Sequence, residues 1–162
     1  MTSNSGPGST AWLAGVAAAM VLWCGPARAG LGDSEAVVAA DGVKLHAQRA
    51  LQAAPGYTVH VLQQADGGVV RQFVSADRRV FAVTWTGHGK PDLATLLGAS
   101  YGRYADGVQR AAQQRPGPAH QFHQTALDLV VHSSVHLNVF KGYAYLPSLV
   151  PAGFTLNASP SQ

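Results

Sequence analysis

Three segments in the middle of the chain alternate apolar and polar side chains with the period of a β-strand. They cover residues 57–62, 69–75 and 80–85. The Asp-Gly-Gly sequence at 66–68 tolerates the positive φ of a tight turn, and residues 76–78 turn the chain again. The pattern predicts a three-stranded antiparallel meander. In its third strand, alternation places Phe81, Val83 and Trp85 on one face and Val80, Ala82 and Thr84 on the other.

A helical pattern follows, beginning at Pro91 and Asp92. Proline has the fixed φ of a first helical turn, and aspartate has the negative charge that favours a helix N-terminus. The next apolar side chains share one helical stripe: Leu93, Leu96, Leu97, Tyr101, Tyr104 and Val108. Gly98 and Gly102 interrupt the stripe, each at a cost of about 1 kcal/mol relative to alanine. We predict one long helix that packs on the sheet. A close backbone approach to the sheet at these glycines would offset their cost, and the alternative is a helix that is merely weak.

A second region of alternation follows the connector at residues 115–118, which is rich in proline and glycine. Residues 126–132 and 135–146 alternate around Ser133 and Ser134, and this pattern predicts a second hairpin. The fold class is therefore α+β, with a mostly antiparallel sheet in β-β-β-α-β-β order and one long helix packed on one face.

The remaining segments lack such a pattern. Residues 30–55 are rich in alanine and glycine, and we interpret them as a poorly ordered leader. Residues 56–155 form the single predicted α+β domain, and residues 156–162 are expected to be a frayed tail.

The first 29 residues have the features of a cleavable secretory signal peptide. Residues 10–24 carry no charge and are too few to span a bilayer, which needs about 20 apolar residues. The sequence Ala27-Arg28-Ala29 then supplies the small residues that a signal peptidase requires, so cleavage is predicted between Ala29 and Gly30. The mature chain is expected in the periplasm or outside the cell, with no membrane span.

One feature argues against this interpretation, and two alternatives to it stay open. Residues 1–9 contain no lysine or arginine, which is unusual for a signal peptide and is explained if Met1 is not the true start. A lipoprotein acylated at Cys24 is disfavoured because the bulky Trp23 precedes the cysteine. An ordinary buried helix is disfavoured because the segment has no polar face.

Composition limits what the mature chain can do. Cleavage leaves 133 residues, enough for one domain with one core. Ten Lys and Arg residues then face eight Asp and Glu residues, and this excess is too small and too scattered to imply a nucleic-acid partner, so none is predicted. Cys24 is the only cysteine, so the mature chain has no disulfide and no thiolate nucleophile.

Several motifs together resemble one known family. They are Gly68-Val-Val-Arg-Gln-Phe-Val74, Val80-Phe-Ala-Val-Thr-Trp-Thr-Gly87, Pro91-Asp-Leu, Leu96-Leu-Gly98, Asp128-Leu-Val-Val-His132 and Gly142-Tyr-Ala-Tyr-Leu-Pro147. The chain is similar over about residues 30–155 to the exported proteobacterial family catalogued as domain of unknown function 2844. The resemblance implies export and a single domain, and it assigns no catalytic residue. Ser133 and Ser134 stand where the family pattern has a Gly-Gly turn.

Four histidines provide the main candidate site: His120, His123, His132 and His136. Imidazole is a common ligand of zinc, copper and nickel, so the cluster is a candidate transition-metal site. The alternative is that these are ordinary surface or hydrogen-bonded histidines, and no other cofactor is predicted. If Ser133 and Ser134 form a two-residue turn, His132 and His136 lie on opposite faces. If the loop has three residues, the two histidines face each other and can share a metal ion.

Two other kinds of site are weighed against structural roles. A hydrolase could combine Ser133 or Ser134 with His132 and Asp128, but the last two would lie about 13 Å apart along one strand, too far for a hydrogen bond. Aromatic side chains could line a ligand groove, although at these spacings they are more typical of a core: Trp85, Tyr101, Tyr104, Tyr143 and Tyr145. The favoured hypothesis is an exported, non-catalytic protein that binds an envelope protein or a small ligand, and the alternative is a metal-binding protein.

Overall fold

A single antiparallel sheet of seven strands dominates the computed structural model, which describes Met1 and residues 30–114, 121–126 and 128–156. The strands are β1 (Ala47–Ala54), β2 (Tyr57–Gln64), β3 (Val69–Ser75), β4 (Val80–His88), β5 (Gln121–Ala126), β6 (Leu129–His136) and β7 (Val139–Tyr145). The helices are α1 (Val38–Lys44), α2 (Leu93–Leu97) and α3 (Tyr101–Gln114), with short 3-10 turns at Glu35–Val37, Gly98–Ser100 and Pro147–Leu149. The predicted α+β class and antiparallel sheet are confirmed.

Two meanders meet in the middle of the sheet. The spatial order is β1-β2-β3-β4-β7-β6-β5, so β4 of the first meander pairs antiparallel with β7 of the second. The predicted strands at 57–62, 69–75 and 80–85 are confirmed as β2, β3 and β4. Among the described residues, no helix is long and apolar enough to cross a membrane.

One face of the sheet carries the main core. Leu62, Val83 and Ala144, from β2, β4 and β7, are fully buried on it. The other members of the same cluster are Leu31, Val38, Val70, Val74, Val80, Trp85, Leu96, Leu97, Leu129, Val131 and Leu146. Segments that precede and follow the first meander in the sequence therefore cover this face.

The structure corrects the predicted element order, because the described residues form four strands before α2 and three after α3. The additional first strand, β1, and the helix α1 lie within residues 30–55, which the sequence predicted to be a poorly ordered leader. Six of the eight residues of β1 are exposed, since this strand lies at the edge of the described sheet and, among the described strands, pairs with β2 alone. An exposed edge strand has no buried face, so it lacks the apolar alternation that reveals the others.

The face predicted for Phe81 is wrong. The register between β3 and β4 shifts beside Phe73, which pairs with Ala82, whereas Val74 pairs with Val80. The extra residue is a β-bulge, and it moves the Phe81 side chain to the opposite face from Val83. There its ring lies 6.2 Å from that of Phe73, between ring centroids.

The predicted long helix is broken into α2 and α3. It begins as expected after Asp92, whose carboxylate accepts a hydrogen bond of 3.1 Å from the Thr95 backbone N–H. It breaks at Gly98, which has φ +50°, a left-handed conformation that glycine adopts without a steric cost. The break lets the backbone of Gly98 pack directly against that of Gly30.

The second predicted hairpin forms between β6 and β7, but its predicted turn at Ser133 and Ser134 is wrong. Both serines lie inside β6, and the chain turns instead at Leu137 and Asn138, which have φ of 47° and 64°. Positive φ at both central residues is the requirement of a type I′ hairpin turn. An additional strand, β5, then pairs with the other edge of β6.

Candidate ligand-binding face

The face of the sheet opposite the helices carries a row of ring side chains. Because side chains alternate along a strand, cross-strand pairing places His123, His132 and Tyr143 side by side on β5, β6 and β7. The ring centroids of His123 and His132 are 6.0 Å apart. Those of His132 and Tyr143 are 5.4 Å apart, and the two rings are stacked at 28°. We call this open side of the sheet the ring face.

The row continues along β7 to Tyr145, whose ring centroid is 6.3 Å from that of Tyr143. Both tyrosines are half-buried. They form the floor of a cavity of about 530 Å³ whose remaining lining comes from the C-terminal segment, namely Pro147, Val150, Phe154, Thr155 and Leu156. The volume lies within the range of small-molecule sites, and its lining combines apolar side chains with hydroxyl groups.

Phe154 anchors the C-terminal segment over the ring face. Its ring meets that of Phe81 edge-on, with a centroid distance of 4.8 Å, and it also contacts Tyr57 at 5.3 Å and Phe73 at 5.5 Å. Edge-to-face pairs of this kind stabilise a fold beyond their buried area, by about 1 kcal/mol each. The bulge at Phe81 therefore contributes to the site, because it places the Phe81 ring on the ring face, where Phe154 packs against it.

Asp128 holds the beginning of the same segment. Its carboxylate accepts hydrogen bonds from the Ser148 backbone N–H, at 2.8 Å, and from the Ser148 hydroxyl. These hydrogen bonds lower the pKa of Asp128 because they stabilise the charged carboxylate. Asp128, the candidate acid of a hydrolase, thus fixes the segment that forms the cavity wall, and its hydrogen-bond partner is Ser148, not His132.

The predicted histidine cluster is only partly brought together. His132 and His136 lie on the same strand four residues apart, about 13 Å along β6, so neither of the two predicted turn geometries occurs. His123 is the neighbour of His132, and His120 lies outside the described residues. Over the described ranges, no group of three or more His, Cys, Asp or Glu side chains is placed to hold a metal ion. A zinc site uses three or four protein ligands, and metal binding stays a prediction.

The aromatic candidates divide between core and cavity. Trp85 is 4% exposed and belongs to the core. Tyr104 packs against Phe122 at 5.3 Å, and Tyr101 lies beside Tyr104 on α3. Only Tyr143 and Tyr145 line the cavity, and sequence reasoning missed its opposite wall. The apolar spacing of Pro147, Val150 and Phe154 was the available signal, but nothing local shows that this segment folds back over the sheet.

Neither a curated protein nor a solved structure matches the chain. The family model described as "Protein of unknown function (DUF2844)" matches residues 27–158. The motifs quoted above, from Gly68-Val-Val to Tyr-Leu-Pro147, fall inside that range. Because the match covers most of the sequence, the chain belongs to this DUF2844 family.

Proposed function

We propose that this chain is an exported, non-catalytic binding protein whose ring face holds a small ligand. The observation that carries the proposal is the cavity of about 530 Å³ between the stacked rings of β7 and the C-terminal segment. A tyrosine ring offers a flat apolar surface with a hydroxyl at its edge. The ligand that fits is therefore a planar or cyclic molecule with an apolar face and polar groups around its rim.

Export is supported by the uncharged segment at residues 10–24 and by the Ala27-Arg28-Ala29 sequence. The family match begins at residue 27, close to the predicted cleavage point between Ala29 and Gly30. The intact mass of the protein recovered from the envelope fraction of an expressing bacterium tests this part. We expect a chain that begins at Gly30. An unprocessed chain that keeps Met1 and stays in the cytoplasm would overturn export.

Ligand binding is tested with the mature chain and a panel of cyclic sugars and planar aromatic acids, screened by ligand-observed NMR. We expect Tyr143→Ala to weaken binding of the hits about fivefold or more, since loss of one aromatic stack costs about 1 kcal/mol or more. The matched control is Tyr101→Ala, which removes an exposed tyrosine from α3. Hits that bind both variants with equal affinity would show that the ring face is not the site.

A further inference from the structure

Gly30, the residue that cleavage would leave first in the chain, is built into the fold. A β-carbon at this position would lie 2.3 Å from the backbone nitrogen of Gly98, so no other residue fits without a shift of the main chain. The next residue, Leu31, is 1% exposed, and its N–H donates to the Leu96 carbonyl at 3.1 Å. The predicted mature N-terminus therefore has a fixed position beside the junction of α2 and α3.

Asp33 closes a turn on this residue. Its backbone N–H donates to the Gly30 carbonyl at 3.0 Å. The Oδ2 atom of its carboxylate is buried and has no hydrogen-bond partner among the described residues. Such an atom is costly because a buried carboxylate oxygen that lacks a partner loses its hydration without compensation.

The unpartnered oxygen and the Gly30 nitrogen lie on the same side of Gly98. The position that a Gly98 β-carbon would take is 2.9 Å from Asp33 Oδ2 and 3.4 Å from the nitrogen of Gly30. The two atoms are therefore separated by little more than 6 Å at most, which is within the range of a strong interaction between charges in a partly buried site.

The nearby cation, Arg79, leaves this oxygen unpaired. Its Nε and Nη2 atoms both donate to the Gly32 carbonyl, at 3.1 and 2.6 Å. Its charge lowers the pKa of Asp33, but burial has the larger effect and raises it. Asp41 also interacts electrostatically with Asp33, and in its charged form it adds to the need for a cation here.

We propose that the Asp33 carboxylate is the acceptor site for the α-ammonium group of Gly30, which cleavage after Ala29 creates. The inference rests on the export proposed above. Hydrolysis of the Ala29–Gly30 peptide bond consumes one water molecule, and the proton of the new Ala29 carboxyl group is transferred to the Gly30 amine. A backbone amide with one hydrogen thus becomes a cation with three. Signal removal completes a buried ion pair that the precursor lacks, so maturation stabilises the fold.

The test compares two chains that begin at Gly30, one with a free amine and one acetylated to remove the charge. Each is made with Asp33 and as Asp33→Asn. We expect acetylation to lower the melting temperature by about 4 °C or more when Asp33 is present, and by much less in Asp33→Asn. Asp77→Asn is the matched control, because it removes an exposed carboxylate from the turn before β4. If acetylation lowers the melting temperature equally in the Asp33 and Asp33→Asn chains, the inference is overturned.

A second measurement does not depend on how well Asp33→Asn folds. NMR titration of the free Gly30 amine in the unsubstituted chain is expected to give a pKa above the usual value of about 8, because the carboxylate favours the charged amine. A pKa at or below that value would overturn the ion pair. Failure of export is distinguishable, since the intact mass would then show a chain that keeps Met1 instead of one that begins at Gly30. If the exported chain begins at Gly30 but acetylation lowers the melting temperature equally with and without Asp33, the ion pair alone would be overturned.

Discussion

At the scale of single residues, the most unusual feature is a polar pair inside the core. Asp41 and Gln72 are both 0% exposed, and the Gln72 Nε2 atom donates to Asp41 Oδ2 at 2.7 Å. Among the described residues, the remaining oxygens, Asp41 Oδ1 and Gln72 Oε1, have no hydrogen-bond partner. Burial raises the pKa of Asp41 to about 6, since desolvation outweighs the hydrogen bond from Gln72. A neutral Asp41 is therefore favoured by the fold.

The raised pKa predicts how stability depends on pH. The folded chain keeps a proton on Asp41 that the unfolded chain releases at a pKa near 3.8, so this group favours folding most below about pH 4. Its contribution is lost as the pH rises through about 6. Between pH 4 and pH 7, we expect the unfolding free energy of the wild type to fall relative to Asp41→Asn by on the order of 2 kcal/mol.

Urea denaturation at the two pH values measures this difference. The control is Asp106→Asn, since Asp106 is an exposed carboxylate on α3. If the wild type and Asp41→Asn show parallel pH profiles, the Asp41 carboxyl group is not protonated by folding and the interpretation of the buried pair is incorrect.

At the scale of elements, the turn between β6 and β7 forces a residue into a backbone conformation that it disfavours. Leu137 occupies the first central position with φ 47° and is 84% exposed. A left-handed conformation costs a residue with a β-carbon about 1–2 kcal/mol. Because the Leu137 side chain is exposed, little hydrophobic burial offsets this cost. The register from Val130–Tyr145 to His136–Val139 imposes the turn, because it buries Val131 against Ala144.

Replacing this leucine should stabilise the hairpin. Asparagine tolerates positive φ and is preferred in type I′ turns, so we expect Leu137→Asn to raise the unfolding free energy by about 1 kcal/mol. Thermal unfolding followed by circular dichroism measures the change. Leu51→Asn is the matched control, because it makes the same substitution at an exposed position of an extended strand. A gain of the same size in both variants would show that removing an exposed leucine, not relieving the turn, is responsible.

At the scale of the whole molecule, the segment at residues 30–38 joins the first meander to α2. The Gly32 N–H donates to the Val80 carbonyl at 2.8 Å, and the Val80 N–H donates to the Asp33 carbonyl at 2.9 Å. Leu31 and Val38 are each 1% exposed, and both belong to the core cluster that contains Leu96. Residues 30–38 are therefore part of the folding unit, not an appendage to it.

This placement predicts a large effect of a substitution close to the predicted cleavage site. We expect Leu31→Ala to lower the unfolding free energy by about 3 kcal/mol, the usual cost of removing a buried leucine side chain. Leu51→Ala, at a position that is 58% exposed, should cost less than about 1 kcal/mol. Urea denaturation of both variants provides the comparison. Similar losses would mean that Leu31 does not contribute to the core in solution.

What could be predicted varied with how far each feature depends on local sequence. The strands β2, β3 and β4 were predictable because one face of each is buried, and burial imposes alternation. The edge strand β1 was not predictable, since its side chains are largely exposed. Ser133 and Ser134 favour a turn locally, but pairing with Gly142 and Lys141 keeps them in β6. Tyr143 and Tyr145 could be proposed for a groove, but Phe154 could not.

The sequence by itself determined the spacing of strands and turns, the start of a helix at Asp92 and the membership of the DUF2844 family, and it predicts a signal peptide. The tertiary structure alone decided that Phe81 leaves the core face, that Phe154 crosses the ring face, and that Gly30 packs on Gly98 beside Asp33. The physical reason is the range of the interactions. Alternation and capping arise between neighbours along the chain, whereas a bulge, a cavity and a buried carboxylate depend on contacts between residues that are distant in sequence.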